Sequence, residues 1–193
     1  MKIGLFFGSF NPIHSGHLML AQWMINFADV DEVWFVVSPQ NPFKTGGELA
    51  AAEHRVEMVR RAVEHSAQLH VCDIELHLPL PSYTTNTLSV LHGQYPQHEF
   101  VLIMGGDNVA GLPRWKCADE VLKHRILVYP RPNYEPIELP NSNIEYTNAP
   151  QIDISSTQVR QWIAEGRCVH YFVPAEVVEY IEGKKLYKVR SEK

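Results

Sequence analysis

The stretch KIGLFFGSFNPIHSGH, residues 2–17, decides the fold of this 193-residue chain. Its residues 3–7 form a continuous apolar run, which is typical of a buried parallel strand. A loop with glycine, serine, asparagine and proline follows, and an apolar pattern with helical spacing begins at Leu18. This order of strand, tight loop and helix start directs backbone N–H groups and the positive end of a helix dipole at one point. The stretch therefore predicts a site for a phosphate group.

Two histidines in this stretch, His14 and His17, are the candidate catalytic residues. Their spacing of three places both side chains on one face of the helix start, beside the loop. The loop contains neither the Gly-x-Gly-x-x-Gly fingerprint nor the Gly-Lys-Ser/Thr ending of a P-loop, so the histidines would take the place of the P-loop lysine. The alternative interpretation, a zinc pair, lacks a third ligand at metal spacing nearby.

The rest of the chain alternates between strand-like and helical patterns. Strand-like apolar runs lie at 3–7, 32–37, 69–71, 100–104 and 126–129, and helical patterns lie at 18–28, 50–65, 87–95 and 118–124. This alternation predicts a doubly wound, Rossmann-like α/β fold with a parallel sheet and helices on both faces. Its ligand site is expected beyond the carboxyl ends of the strands. A short strand at 144–146 and a last helix at 174–183 are also predicted.

Composition indicates a small enzyme made of a single domain, 1–193. The formal net charge of −5 argues against a nucleic-acid partner, because phosphate-backbone binding depends on clustered lysine and arginine. The odd, widely spaced cysteines Cys72, Cys117 and Cys168 predict neither disulfides nor a thiolate zinc site. We expect a cytoplasmic protein without a membrane segment, since no secretory leader and no long apolar run are evident. The sequence leaves open whether the chain forms a homo-oligomer.

Two segments resemble the signatures of the nucleotidyltransferase superfamily whose hallmark is His-x-Gly-His. Residues 8–17 resemble its phosphate-binding signature, and ISSTQVR at 154–160 resembles its second signature, Ile-Ser-Ser/Ala-Thr-x-x-Arg. The resemblance implies that His17 contacts the α-phosphate of ATP and His14 the β–γ side. It implies further ATP ligands at Gly8, Ser9, Phe10, Ile154, Ser155, Ser156 and Arg160. An ordinary helix N-cap by Ser155 is the alternative for the second segment.

Three further residues are candidates for ATP binding. Gly105 and Asp107 belong to a Gly-Gly-Asp-Asn turn after the strand-like run 100–104, and the resemblance places such a segment beside the adenosine. Helix capping by Asp107 is the alternative there. Lys44 ends the loop 38–44, which follows the run 32–37 at the functional edge of the sheet, so it is a candidate ligand of the triphosphate.

The segments PSYTTNTL at 81–88 and LPRWK at 112–116 look like those of the nicotinate-nucleotide adenylyltransferase family. The resemblance implies that Trp115 stacks on the pyridine ring, while Thr84 and the backbone of Lys116 bind the ring carboxylate. Asn41 is the candidate for the acceptor phosphate. The alternatives are a core position for Trp115 and a helix cap at 83–84. The chain departs from the family at Asn86, where an acidic residue is common, and in its shorter loop at 39–44.

The resemblance implies transfer of an adenylyl group from ATP to nicotinate mononucleotide, with Mg²⁺, in the synthesis of NAD. It also implies a single nucleotidyltransferase domain on which a helical segment at about 155–183 packs. Other acceptors, nicotinamide mononucleotide or phosphopantetheine, are the enzymatic alternatives. A module that binds nucleotide without turnover is the alternative from another class. We expect the loop 41–47 to be the mobile part of the site.

Overall fold

The computed structural model describes residues 1–39 and 49–188 and has at its centre a parallel sheet of six strands. The strands are β1 (Lys2–Gly8), β2 (Glu32–Val37), β3 (Leu69–Cys72), β4 (Glu99–Gly105), β5 (Arg125–Tyr129) and β6 (Asn143–Tyr146). Their order across the sheet is β3-β2-β1-β4-β5-β6, and every neighbouring pair is parallel. The predicted strands and the parallel sheet are therefore confirmed. The candidates Asn41 and Lys44 and the loop 41–47 lie outside the described residues.

The helices connect these strands and follow them. They are α1 (Ser15–Phe27), α2 (Ala52–Val63), α3 (Thr84–Gln94), α4 (Gly106–Val109), α5 (Ala118–Leu122), α6 (Ser156–Ala164) and α7 (Ala175–Lys184). Two of them begin three residues earlier than the apolar periodicity predicts, α1 at Ser15 and α3 at Thr84. The first turn of a helix is often polar, so the periodic apolar pattern starts after the helix itself does.

Helices cover both faces of the sheet, as predicted. One core cluster contains the sheet residues Phe6 and Phe35 with residues of α1, α2, α6 and α7. The other contains Leu5 and Leu102 with residues of α3 and α5. Successive strand residues alternate between the two clusters, which is why the strands read as continuous apolar runs.

The strand order changes direction between β1 and β4, since β2 and β3 lie on one side of this pair and β5 and β6 on the other. A ligand crevice in a doubly wound sheet forms at such a point, outside the carboxyl ends of the strands. The loops after β1 and β4 begin there, at Gly8 and Gly105. In the described part of the chain no helix is long and apolar enough to cross a membrane.

Candidate active site

Two adjacent cavities open at this switch point and share one wall. The larger, which we call the histidine cavity, has a volume of about 700 Å³, and the smaller, the tryptophan cavity, about 510 Å³. Gly8 and Ser9 lie in the wall that belongs to both. The histidine cavity is also lined by Phe10, His14, His17, Asp107, Ile154, Ser155, Ser156 and Arg160, and the tryptophan cavity by Thr84, Gly105, Trp115 and Lys116. Every predicted site residue within the described ranges thus lines one cavity or the other.

The imidazole rings of His14 and His17 stack on one another. Their centroids are 3.7 Å apart and the rings are inclined by 23°. His14 is the N-cap of α1 with extended backbone, and His17 lies in its first turn. Within the described residues no third His, Cys, Asp or Glu joins the pair in a cluster that could hold a metal ion. The arrangement is that of two donors side by side at a helix N-terminus.

One hydrogen bond defines the tautomer of His17. The backbone N–H of His14 donates to Nδ1 of His17 at 3.2 Å. Because Nδ1 accepts this hydrogen bond, the proton of the neutral ring resides on Nε2. His17 can therefore donate from Nε2 without first becoming charged.

His14 is nearly inaccessible, with 4% of its surface exposed. Burial, together with the positive charge of Arg131, lowers the pKa of His14 from 6.5 to about 4. Its Nδ1 is buried and has no hydrogen-bond partner among the residues that the structure describes. At neutral pH the ring is thus uncharged, and a negative ligand beside it would favour its protonation.

In the loop after β1, the backbone turns at Phe10, and the ring of this residue packs into the core. Phe10 has a left-handed backbone with φ 45°, and its ring is buried against Phe6, Phe35 and His17. A Cβ at Gly8 would lie 2.8 Å from this ring, so glycine is needed there. Phe10 thus belongs to the first core cluster and also lines the histidine cavity.

The second signature segment, residues 154–160, forms hydrogen bonds to the backbone of this loop. Nη1 of Arg160 donates to the carbonyl oxygen of Asn11 at 2.8 Å, and the hydroxyl of Ser156 donates to that of Pro12 at 2.9 Å. Ser155 is the N-cap of α6, its Oγ accepting from the backbone N–H of Gln158 at 3.2 Å. Ser155 therefore does what the alternative interpretation expects while also lining the histidine cavity.

A buried arginine that the sequence reasoning missed connects the same loop to the segment that follows β2. Arg55 on α2 is fully buried, and its guanidinium donates to the carbonyl oxygens of Ser9 and Ser38 at 2.7 Å. It also donates to those of Pro39 and Ala50 at 2.9 Å. All these carbonyls are thus turned toward protein donors. A negative ligand in the cavity is consequently spared their repulsion.

Arg131 is a second missed residue and adds positive charge to the histidine cavity. It follows β5, lies over the ring of Tyr129 at 5.1 Å, and its Nε is 3.7 Å from a carboxylate oxygen of Asp107. A Cβ at Gly105 would collide with that carboxylate and lie 3.0 Å from Nε of Arg131. The position of Arg131 just after a strand of the parallel sheet was the signal in the sequence that could have identified this residue.

In the tryptophan cavity the two predicted acceptor segments meet. Lys116 places Nζ 4.3 Å from the ring centroid of Tyr83, which joins the segment of Trp115 to the start of α3. Thr84 is the first residue of α3 and follows its N-cap, Tyr83. Trp115 packs partly on the second core cluster, as the core interpretation expects, and it also lines the cavity.

A third missed residue, Glu75, lines the tryptophan cavity with only 2% of its surface exposed. One carboxylate oxygen accepts a hydrogen bond from the hydroxyl of Thr87 at 2.8 Å. Burial raises the pKa of Glu75, since a charged carboxyl is poorly solvated there. The tryptophan cavity thus has a buried carboxyl group that is bonded to a residue of α3.

Comparison with known proteins agrees with the class that this fold and these paired cavities define. Residues 5–162 match the sequence model of the family described as cytidylyltransferase-like. The fold is similar to that of Plasmodium falciparum nicotinic acid mononucleotide adenylyltransferase complexed with NaAD, with a TM-score of 0.79 at 20% identity. That similarity covers 96% of this chain and 97% of the other. The architecture is thus that of a nucleotidyltransferase.

Curated relatives narrow this class. A probable nicotinate-nucleotide adenylyltransferase of Cytophaga hutchinsonii is 45% identical over 97% of this chain and 98% of its own length. That of Flavobacterium johnsoniae is also 45% identical, over 97% of this chain and 100% of its own. The chain belongs to the nicotinate-nucleotide adenylyltransferase family.

Proposed function

We propose that this chain transfers the adenylyl group of ATP to nicotinate mononucleotide, giving nicotinate adenine dinucleotide and pyrophosphate in the synthesis of NAD. The observation that carries the proposal is the pair of cavities that meet at Gly8 and Ser9. One cavity holds the histidine pair and the other holds Trp115. Such an arrangement brings a triphosphate and a mononucleotide together at the shared wall.

The reaction needs no nucleophile from the protein. A phosphate oxygen of the mononucleotide attacks the α-phosphorus of ATP, and the bond from that phosphorus to the oxygen bridging to the β-phosphate breaks. Pyrophosphate leaves with the electron pair of that bond. Catalysis then consists of holding two anions in line and stabilising the charge on the equatorial and leaving oxygens.

The histidine cavity supplies donors for this task. His17 would donate from Nε2 to an oxygen of the α-phosphate, in the tautomer that the backbone of His14 selects. His14, beside it, would contact the β–γ side and gain a proton as the triphosphate approaches. Arg131 and Arg160 both line this cavity and would add positive charge toward the leaving group.

Mg²⁺ is expected with ATP. Among the described residues that line the histidine cavity, Asp107 is the one acidic side chain, and it pairs with Arg131. Mg²⁺ in nucleotide sites is held mainly by substrate phosphates with one or two carboxylates, and this donor set fits an ion that arrives on the triphosphate. When bound, the ion would neutralise charge on the phosphate oxygens.

The tryptophan cavity supports a pyridine acceptor. The indole of Trp115 offers a face to an electron-poor pyridinium, a contact worth about 0.5–2 kcal/mol. Thr84 and the N-terminus of α3 would receive the ring carboxylate, since backbone N–H groups at a helix start favour an anion. Phosphopantetheine has no aromatic ring that would use Trp115.

The test is pyrophosphate release by the purified protein with ATP and Mg²⁺, measured in parallel with nicotinate mononucleotide, nicotinamide mononucleotide and phosphopantetheine. We expect strong preference for the nicotinate form. His17→Ala should lower kcat by about 100-fold or more, the usual cost of losing a donor to the transition state. His124→Ala, which removes a histidine that pairs with His92 outside both cavities, should leave kcat unchanged.

Each other outcome is informative. Turnover with phosphopantetheine would overturn the roles of Trp115 and Thr84, whereas turnover with nicotinamide mononucleotide would overturn that of Thr84 alone. Either result would keep the histidine chemistry. Calorimetric ATP binding without turnover for any acceptor would indicate a nucleotide-binding module instead of an enzyme. Normal turnover by His17→Ala would contradict the mechanism.

A further inference from the structure

The chain beyond the last helix returns to the phosphate-binding loop. After α7 the backbone turns through left-handed residues, Lys185 with φ 55° and Tyr187 with φ 62°. The hydroxyl of Tyr187 then donates to Oδ1 of Asn11 at 2.7 Å, across 176 positions of sequence. A residue near the end of the described chain thus contacts the loop that follows β1.

Asn11 is where several elements meet. The side chain is buried, and its Oδ1 also accepts from the backbone N–H of Ala50 at 3.1 Å. Since both partners are donors, the atom between them must be the amide oxygen, which fixes the orientation of the amide. The backbone carbonyl of the same residue accepts from Arg160.

Tyr187 is a dependable donor in this position. Burial raises the pKa of its hydroxyl above the ordinary value, and the positive charges of Arg160 and Arg55 oppose this with a smaller effect. The hydroxyl therefore keeps its proton throughout the physiological range. Tyr187 itself lines neither the histidine cavity nor the tryptophan cavity.

We propose that Tyr187 is a positioning residue for catalysis, which orients the phosphate-binding loop through Asn11. Asn11 lies between Gly8–Phe10, which line the histidine cavity, and His14, which caps α1. A shift of the Asn11 peptide would move the loop backbone and the first histidine together. The proposal rests on the proposed function, because its readout is the handling of ATP.

The test compares Tyr187→Phe with Tyr180→Phe. Both variants lose one tyrosine hydroxyl near the C-terminus that makes a side-chain hydrogen bond, since Tyr180 bonds Nδ1 of His54 at 2.8 Å. Tyr180 lines neither cavity, so its loss is a matched structural control. Thermal unfolding of both variants shows how much stability each hydroxyl contributes.

We expect Tyr187→Phe to lower kcat/KM for ATP by about tenfold, the effect of one lost hydrogen bond to a buried polar group. The KM for nicotinate mononucleotide should change less, because among residues 8–11 only Gly8 and Ser9 also line the tryptophan cavity. Tyr180→Phe should leave all these constants as in the wild type. Equal effects of the two variants, or an equal rise in KM for both substrates, would overturn the proposal.

A separate readout distinguishes this proposal from the proposed function. The affinity for a non-hydrolysable ATP analogue can be measured by calorimetry without turnover. Tyr187→Phe should weaken this affinity several-fold, and Tyr180→Phe should leave it unchanged. If the wild type fails to release pyrophosphate but this difference persists, the proposed function fails and the positioning role stands. If the wild type turns over and the two variants bind the analogue alike, the positioning role fails alone.

Discussion

Ile154 packs directly on Gly16, and this contact joins the two signature segments. Cγ2 of Ile154 lies 2.7 Å from the point that a Cβ at residue 16 would occupy, and Nδ1 of His14 lies 3.1 Å from the same point. Residue 16, the glycine of His-x-Gly-His, thus has no room for a side chain. It allows the loop before α6 to close on the start of α1, so that both segments line one cavity.

Gly16→Ala should therefore separate the two segments. The added methyl group must displace Ile154, the ring of His14 or both, and overpacking of this kind costs about 1–3 kcal/mol. Because the displacement falls between the segments that line the histidine cavity, we expect a rise of about tenfold or more in the KM for ATP. Steady-state kinetics and chemical denaturation measure the two effects.

Gly93→Ala is the matched control for this substitution. Gly93 lies in α3, and a Cβ there has no neighbour within 4 Å. Alanine should stabilise this helix by up to about 1 kcal/mol and leave the kinetics unchanged. Wild-type ATP kinetics in Gly16→Ala would show that the contact with Ile154 does not position the site.

Much of this architecture could be predicted from local patterns. Continuous apolar runs identified the strands, because both faces of a doubly wound sheet are buried. The three-residue spacing of His14 and His17 predicted rings on one face, and the structure stacks them. The two segments that resemble superfamily signatures, at residues 8–17 and 154–160, line the same cavity.

The residues that sequence reasoning missed belong to no motif, and each contacts residues that are distant in the sequence. Arg55 lies in an amphipathic helix, where an arginine normally indicates a solvated face, yet its partners are backbone carbonyls of other segments. Glu75 and Tyr187 likewise have partners that only the folded chain brings near. No local pattern encodes such contacts, because a backbone acceptor can belong to any residue.

The free energy of unfolding should depend on pH through His14. In the unfolded chain the pKa of this ring is near 6.5, and in the folded protein it is about 4. Between these values the unfolded state binds more protons, so the stability contributed by the neutral ring is lost as the pH falls from about 6.5 toward 4. The two values predict a loss of roughly 2 kcal/mol between pH 7 and pH 5.

Urea denaturation of the wild type and of His14→Gln at both pH values measures this term. The glutamine does not titrate, so its variant should lose about 2 kcal/mol less stability than the wild type over the same interval. Other titrating groups, such as His92, whose pKa is also lowered, contribute equally to both proteins and cancel. Parallel pH profiles would mean that His14 titrates normally in the folded state.

Arg131→Gln should weaken the handling of ATP more than that of the acceptor. The guanidinium lines the histidine cavity and neutralises Asp107 from 3.7 Å, so its removal subtracts a positive charge and leaves the carboxylate facing the triphosphate. We expect kcat/KM for ATP to fall by about tenfold to 100-fold, the range for a charged hydrogen-bond donor. Arg167→Gln is the control, because Arg167 is exposed and pairs with Glu165. Equal kinetic constants for the two variants would show that Arg131 does not contribute to ATP binding or turnover.

Trp115→Ala should raise the KM for nicotinate mononucleotide far more than the KM for ATP. Trp115 lines the tryptophan cavity and not the histidine cavity, so the loss of its indole removes the stacking face of one substrate alone. A stacking contact of about 0.5–2 kcal/mol corresponds to a change of roughly twofold to 30-fold in this KM.

The partial core position of Trp115 makes a stability control necessary for this experiment. Trp23 on α1 packs against the other core cluster and lines neither cavity, so Trp23→Ala reports what the loss of a partly buried indole does by itself. If Trp115→Ala raises both KM values equally, as a general loosening of the fold would, Trp115 is a packing residue and the pyridine ring binds elsewhere. If the KM for the mononucleotide alone rises, while Trp23→Ala loses comparable stability with both KM values unchanged, then Trp115 binds the acceptor directly.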